Sequence, residues 1–293
     1  MFTERRKAGD IAFDLVNHLL VGLLALICIY PFWYVFVASL SDPRIPNLGL
    51  LFWARDFTLY TYQEVFRMSG LAGAALVSVL RTVLGTLLSV CSVTFLGYVF
   101  SKDNVPAKKL LYRYFIITMY VSGGSIPTFL VFKAYGLRNN FMVYILPGIV
   151  SAYNMILVKT YIETSVPASL EESATLDGAG YLTVFVKIIF PLSVPIIATI
   201  ALFTAVGQWN SWMDNMIYTA SNPDLTTLQY LLYKRLNEAS ALANASRSNA
   251  SVQEIERLMQ QMTLTPNSIR MTITMIVTLP ILCVYPFVQR FFM

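Results

Sequence analysis

Six long stretches without one charged side chain set the terms for this sequence: Leu19–Leu40, Thr82–Ser101, Tyr114–Phe132, Asn139–Val158, Ile188–Met213 and Met271–Gln289. Crossing about 30 Å of hydrocarbon takes roughly 20 mostly apolar residues, because a helix rises about 1.5 Å per residue and lipid offers its backbone no hydrogen-bond partner. Each stretch meets that length. The composition agrees, with 56% hydrophobic residues, 13% charged residues and a mean hydropathy of +0.61, too little polar surface to clothe a soluble core. That excludes an ordinary soluble enzyme, a disordered chain and a secreted disulfide scaffold. Cys28, Cys91 and Cys283 lie inside apolar stretches and show no metal-ligand spacing.

The fold expected is therefore all-α and integral to a membrane. Six spans, at about 15–40, 71–101, 110–133, 139–162, 188–215 and 268–290, form a single transmembrane domain over residues 1–293. Starting the second span near Leu71 puts Arg81 at membrane depth, where it must face protein or water. Arg5, Arg6 and Lys7 precede the first span, and Lys102, Lys108, Lys109 and Arg113 separate the second from the third. The positive-inside rule then puts both termini in the cytoplasm, with segments 41–70 and 216–267 outside. The net charge of +5 is dispersed and forms no stripe for nucleic acid.

Several spans carry helix breakers: Gly123, Gly124 and Pro127 in the third, Pro147 and Gly148 in the fourth, Pro191 and Pro195 at the start of the fifth. The backbone groups they free are tolerated only against protein or a water-filled cavity, which favours a transport pathway over a passive anchor. Asn154, Gln208, Trp209 and Asn210, with Asp214 and Trp212 nearby, supply amides and aromatic faces suited to sugars, so they are the candidate substrate path. Interhelical hydrogen bonding and an interfacial aromatic belt explain the same residues without a substrate.

Between spans four and five, Pro167 suits a first helical position, Glu171 and Glu172 fall in the early turns, and Gly178 and Gly180 make a stop. The pattern predicts a short cytoplasmic helix, with Leu170 and Ala174 sharing the face that docks. Within this segment Glu172-Ser173-Ala174, Gly178 and Ile188-Ile189-Phe190-Pro191 stand at the spacings of the Glu-Ala-Ala signature. On those residues the chain resembles the permease subunits of ABC importers, in the carbohydrate-uptake group similar to the smaller permease of the maltose transporter. Ser173 replaces the first alanine and Phe190 the leucine of the signature.

Tyr30-Pro31-Phe32-Trp33, Gly123-Gly124-Ser125-Ile126-Pro127-Thr128, Leu146-Pro147-Gly148, Asn154-Met155 and Gln208-Trp209-Asn210 extend the resemblance to importers of oligosaccharides from polysaccharide breakdown. Alginate importers look most similar, and pectin-fragment importers compete with them. The resemblance implies a type I importer permease fold in the bacterial cytoplasmic (inner) membrane, with segment 165–187 as a coupling element for a separate ATPase. Glu171, Glu172, Ser173, Ala174, Asp177, Gly178 and Pro191 are its coupling residues.

The implied partners are a second homologous permease, forming a heterodimer, two ABC ATPase subunits, an extracytoplasmic binding protein, the oligosaccharide and membrane lipid. The permease itself is no enzyme and binds no cofactor. ATP and magnesium belong to the ATPase, in keeping with the absence of a G-x-x-x-x-G-K-[ST] pattern here. A carrier driven by an ion gradient is the alternative. It needs buried ionisable relays, for which Arg81 is the one serious candidate. The outer stripe Ile255, Leu258, Met259 and Met262 is expected to cover a neighbouring surface.

Overall fold

The first apolar stretch folds as one helix, α1 (Ala8–Ser39), hydrophobic all round and largely exposed, as suits a helix whose surroundings are apolar. The computed structural model describes residues 8–45, 49–67, 69–249 and 265–289. Arg5, Arg6, Lys7 and the stripe from Ile255 to Met262 lie outside them. The described part is mostly helical, and its one β contact is an isolated bridge between Ser41 and Phe57.

The chain divides into two units, residues 1–68 with 236–278 and residues 69–235 with 279–293. In the first, the segment after α1 folds back on the helix end. Trp33 Nε1 donates to the Phe52 carbonyl at 3.0 Å, and Leu51 N donates to the Tyr30 hydroxyl at 3.0 Å. Leu51 thereby packs on Val37 and Ala38. The short helix α2 (Tyr60–Arg67) is pinned by Tyr62, whose hydroxyl meets that of Ser39 at 2.8 Å.

The second unit is organised around α3 (Leu71–Ser101), which buries one side against α6 (Ala152–Ser165) and α10 (Val194–Asn210). Val90, Val93, Tyr98 and Phe100 from α3 meet Met155, Val158 and Ile162 from α6 and Ile200 from α10. The α3–α6 crossing is tight because Gly97 has no side chain. A Cβ there would lie 2.6 Å from Val158 Cγ1 and 3.1 Å from the Lys159 backbone nitrogen.

The breakers act where expected. The third stretch is split into α4 (Lys108–Tyr120) and α5 (Ser125–Ala134), with Gly124 at φ +81° between them. The fourth begins as two 3-10 turns, Phe141–Tyr144 and Leu146–Gly148, and bends by 42° into α6. Ser151 caps α6 by accepting from Asn154 N.

After α7 (Ala168–Leu176), the fifth stretch departs most from a straight span. It runs through α8 (Tyr181–Val184), a π turn at Phe185–Ile189 and α9 (Phe190–Leu192), then bends by 79° into α10. Pro191 and Pro195 lack the N–H groups a continuous helix would use, so the ladder shifts register and breaks at Ser193. Residues 188–192 thus belong to the limb before the bend, and α10 ends at Asn210 rather than near 215. The π turn Asn215–Thr219, α11 (Leu228–Asn249) and α12 (Pro266–Gln289) complete the described chain.

Among the described residues two helices, Phe13–Ser39 and Leu71–Ser101, are long and apolar enough to cross a membrane alone. The number rises to four if each bent pair is one span. Breaks shorten the helices of the third, fourth and fifth stretches.

Gly97→Ala should destabilise the protein by about 1–3 kcal/mol through overpacking of α3 on α6. Gly73→Ala, in the same helix with nothing within 4 Å of the new Cβ, should change stability by less than about 0.5 kcal/mol. Thermal unfolding of the two purified variants checks the contrast.

Candidate functional site

Only 2% of Arg81 is exposed, one third of the way along α3, so every donor of its guanidinium needs a protein acceptor. All five find one. Nε and Nη2 donate to Gln208 Oε1 at 3.2 and 3.0 Å, Nη1 to the Ser211 carbonyl at 3.2 Å, and Nη1 and Nη2 to the two Asp214 carboxylate oxygens at 3.2 and 2.5 Å. The Tyr144 ring covers one face at 4.4 Å.

The acceptors are available because α10 stops at Asn210. Its unwound end frees the Ser211 carbonyl, and Asp214 opens the following π turn by accepting from Asn215 N at 2.9 Å. Asn215 holds the next segment, with Oδ1 accepting from Thr227 N at 2.7 Å. Tyr144 is fixed in turn by the Thr219 hydroxyl at 2.5 Å and the Leu225 carbonyl at 2.7 Å.

This network forms one wall of a cavity of about 410 Å³, also lined by Ser89, Asn154, Thr204 and Gln208. Two of the four residues expected on a substrate path, Asn154 and Gln208, therefore share it. The other two do not line it. Trp209 turns into a separate apolar cavity of about 200 Å³ with Leu202 and Val206, and Asn210 Oδ1 accepts from Gln229 Nε2 at 3.1 Å. Adjacent residues on a helix diverge by about 100°, so Gln208, Trp209 and Asn210 could not share one face. Tyr144, Ser89 and Thr204 were missed, and the polar Ser89 and Thr204 within apolar stretches were the signal available.

The expected short helix exists as α7. Pro167 precedes it as N-cap, and Gly178 at φ +83° ends it. Ala179 N donates to Ala174 O at 2.9 Å and Gly178 N to Thr175 O at 3.0 Å, a Schellman closure that needs the left-handed conformation glycine adopts without strain. Asp177 is the C-cap, and Pro191 lies beyond in α9.

Against the chain's own helices, α7 turns a different face from the one that Leu170 and Ala174 share. Leu170 is 43% exposed, whereas Glu171 and Ala174, spaced i, i+3, turn inward. Ala174 packs on the core around Val184 and Ile162. Glu171 pairs with Lys102 at the end of α3 and accepts from the Tyr98 hydroxyl at 3.4 Å. The half-buried ammonium of Lys102 outweighs the apolar preference of Leu170 there. Glu172, Ser173 and Leu176 face outward. In the turn between α3 and α4, a 3.0 Å hydrogen bond from Lys108 holds the Asp103 carboxyl below the usual carboxylate range.

Residues 93–292 match the model of the binding-protein-dependent transport system inner membrane component family. The chain belongs to that family. It is a permease component of an ABC importer, and two relatives match it over nearly its whole length. "Protein LplC" of Bacillus subtilis is 33% identical over 98% of this permease and 93% of its own length. The polygalacturonan/rhamnogalacturonan transport system permease protein YtcP of the same organism is 33% identical over 96% of this permease and 94% of its own length. Among solved structures, a chain of a bacterial ABC transporter involved in the import of the acidic polysaccharide alginate superposes with a TM-score of 0.82. It is 27% identical and covers 99% of the permease and 100% of that chain.

Asp214→Ala should destabilise the permease by about 3–5 kcal/mol, because it leaves the Arg81 charge buried and unpaired. Replacing both partners, with Arg81→Met and Asp214→Leu, should cost clearly less. Thermal unfolding of the assembled transporter measures the difference.

Proposed function

We propose that this permease imports oligosaccharides released from an acidic polysaccharide, in the class of alginate or pectin fragments, by alternating access driven by ATP on a separate ATPase. The observation that carries the reading is α7, which is held rigidly on one side and open on the other. Glu171 and Ala174 anchor it to the membrane helices, and Glu172 faces outward beside them. A short helix is marginal alone, so a push on it reaches the transmembrane helices only if it is fixed to them. The Schellman closure, the Lys102–Glu171 pair and the packing of Ala174 supply that fixing.

In this reading α7 lies in the cytoplasm within segment 165–187 and docks in a cleft of one of two ATPase subunits, where Glu172 meets a basic group. Six spans cross the bacterial inner membrane with both termini in the cytoplasm. Segments 41–70 and 216–267 meet the external binding protein, and a second, homologous permease completes the pathway. Asn154 and Gln208 contact the passing sugar. ATP and magnesium stay on the ATPase. The substrate class is supported by relatives whose names specify polygalacturonan and alginate.

Replacing Glu172 with Lys and Gly178 with Ala together should abolish at least 90% of substrate-stimulated ATPase activity in proteoliposomes that hold both permeases, the ATPase and the binding protein. The left-handed φ of +83° at position 178 makes alanine costly there by about 1–2 kcal/mol. Full stimulation in a normally assembled double variant would refute the coupling role.

A further inference from the structure

Two sides of the Arg81 guanidinium are closed by good partners. The Tyr144 ring covers a face, and Asp214 takes the Nη1–Nη2 end with one carboxylate oxygen on each nitrogen. The Nε–Nη2 side is held differently, because both N–H groups converge on the single neutral oxygen of Gln208 at 3.2 and 3.0 Å. That side is a planar fork whose parallel N–H groups match the two oxygens of a carboxylate. An amide oxygen is the poorer partner, since it is uncharged and offers one atom where two fit.

Arg81 and Gln208 both line the 410 Å³ cavity, whose volume falls within the roughly 300–1,000 Å³ of small-molecule sites, and Gln208 Nε2 donates to the Tyr144 carbonyl at 3.3 Å. The cavity wall has hydrogen-bonding capacity left over. The Ser89 and Thr204 hydroxyls are buried without a partner among the described residues, and the Asn154 side chain makes no hydrogen bond to another described residue. Buried polar groups are normally satisfied, so unspent hydroxyls beside a cavity point to a polyhydroxylated occupant.

We infer that this cavity is a uronate site in which Arg81 reads the sugar carboxylate. The carboxylate displaces the Gln208 oxygen from the Nε–Nη2 side, while Asp214 keeps the opposite end so that the guanidinium is never left unpaired in a buried setting. The released Gln208 amide, Asn154, Ser89 and Thr204 take the sugar hydroxyls. A neutral sugar has no group able to replace Gln208 and leaves the fork closed. This assignment rests on the import reading and adds to it the residue that selects acidic from neutral oligosaccharides.

The probes are a trigalacturonate and its carboxyl-reduced neutral counterpart, titrated into the permease pair with its ATPase in nanodiscs without binding protein. The wild type should bind the acid at least tenfold more tightly. Arg81→Lys keeps a charge for Asp214 but has no fork, and Arg81→Gln with Asp214→Asn removes both charges. In whichever of these co-purifies with the ATPase, the preference should shrink to twofold or less. Equal binding of both probes by the wild type, binding of neither, or an undiminished preference in the variants overturns the uronate site. ATP-dependent vesicle uptake with the binding protein present separates the two readings. Uptake of either trisaccharide alongside a failed titration removes only the uronate site, and uptake of neither removes the import reading with it.

Discussion

A permanently charged guanidinium with 2% exposure has to be neutralised and hydrogen-bonded from outside its own helix, and much of the second unit is arranged to do so. Arg81 draws the end of α10, the π turn after it and the 3-10 turn carrying Tyr144 onto one side of α3. None of these elements is a straight helix at that point. The unwound backbone is what frees the Ser211 carbonyl, so the irregularity and the charge explain each other.

The same helix serves a second site in this unit. Lys102, 21 residues beyond Arg81 or about 30 Å along α3, meets Glu171 of α7. One rigid rod therefore joins the polar cavity to the proposed coupling helix. Its close contact with α6 through Gly97 and its broad contact with α10 let it move as part of a packed body rather than by bending alone. Under the proposed function this is how a push on α7 reaches the sugar.

Much of the site was legible in outline. The glycines and prolines foretold the interruptions at residues 121–124, at the 42° bend and at the 79° bend, because missing N–H groups and left-handed turns act locally. The position of Arg81 was readable from the cost of a charge at that depth. The inward face of α7 was not. Spacing alone offered Leu170 with Ala174, and only the neighbouring Lys102 decides for Glu171. Trp209 and Asn210 were grouped with Gln208 by adjacency, whereas helical geometry turns them to other walls.

By itself, then, the amino-acid order determined the helical membrane class, the places where helices break and the short helix between α6 and α8. Those follow from the hydrophobic content of 20-residue windows and from backbone chemistry, both of which are local. The tertiary structure alone decided which polar groups meet: Arg81 with Asp214 across 133 positions, Glu171 with Lys102 across 69, and Asn154 with Gln208 around one cavity. Such pairings depend on how bent helices cross, and a crossing angle is set by packing between side chains far apart in the chain.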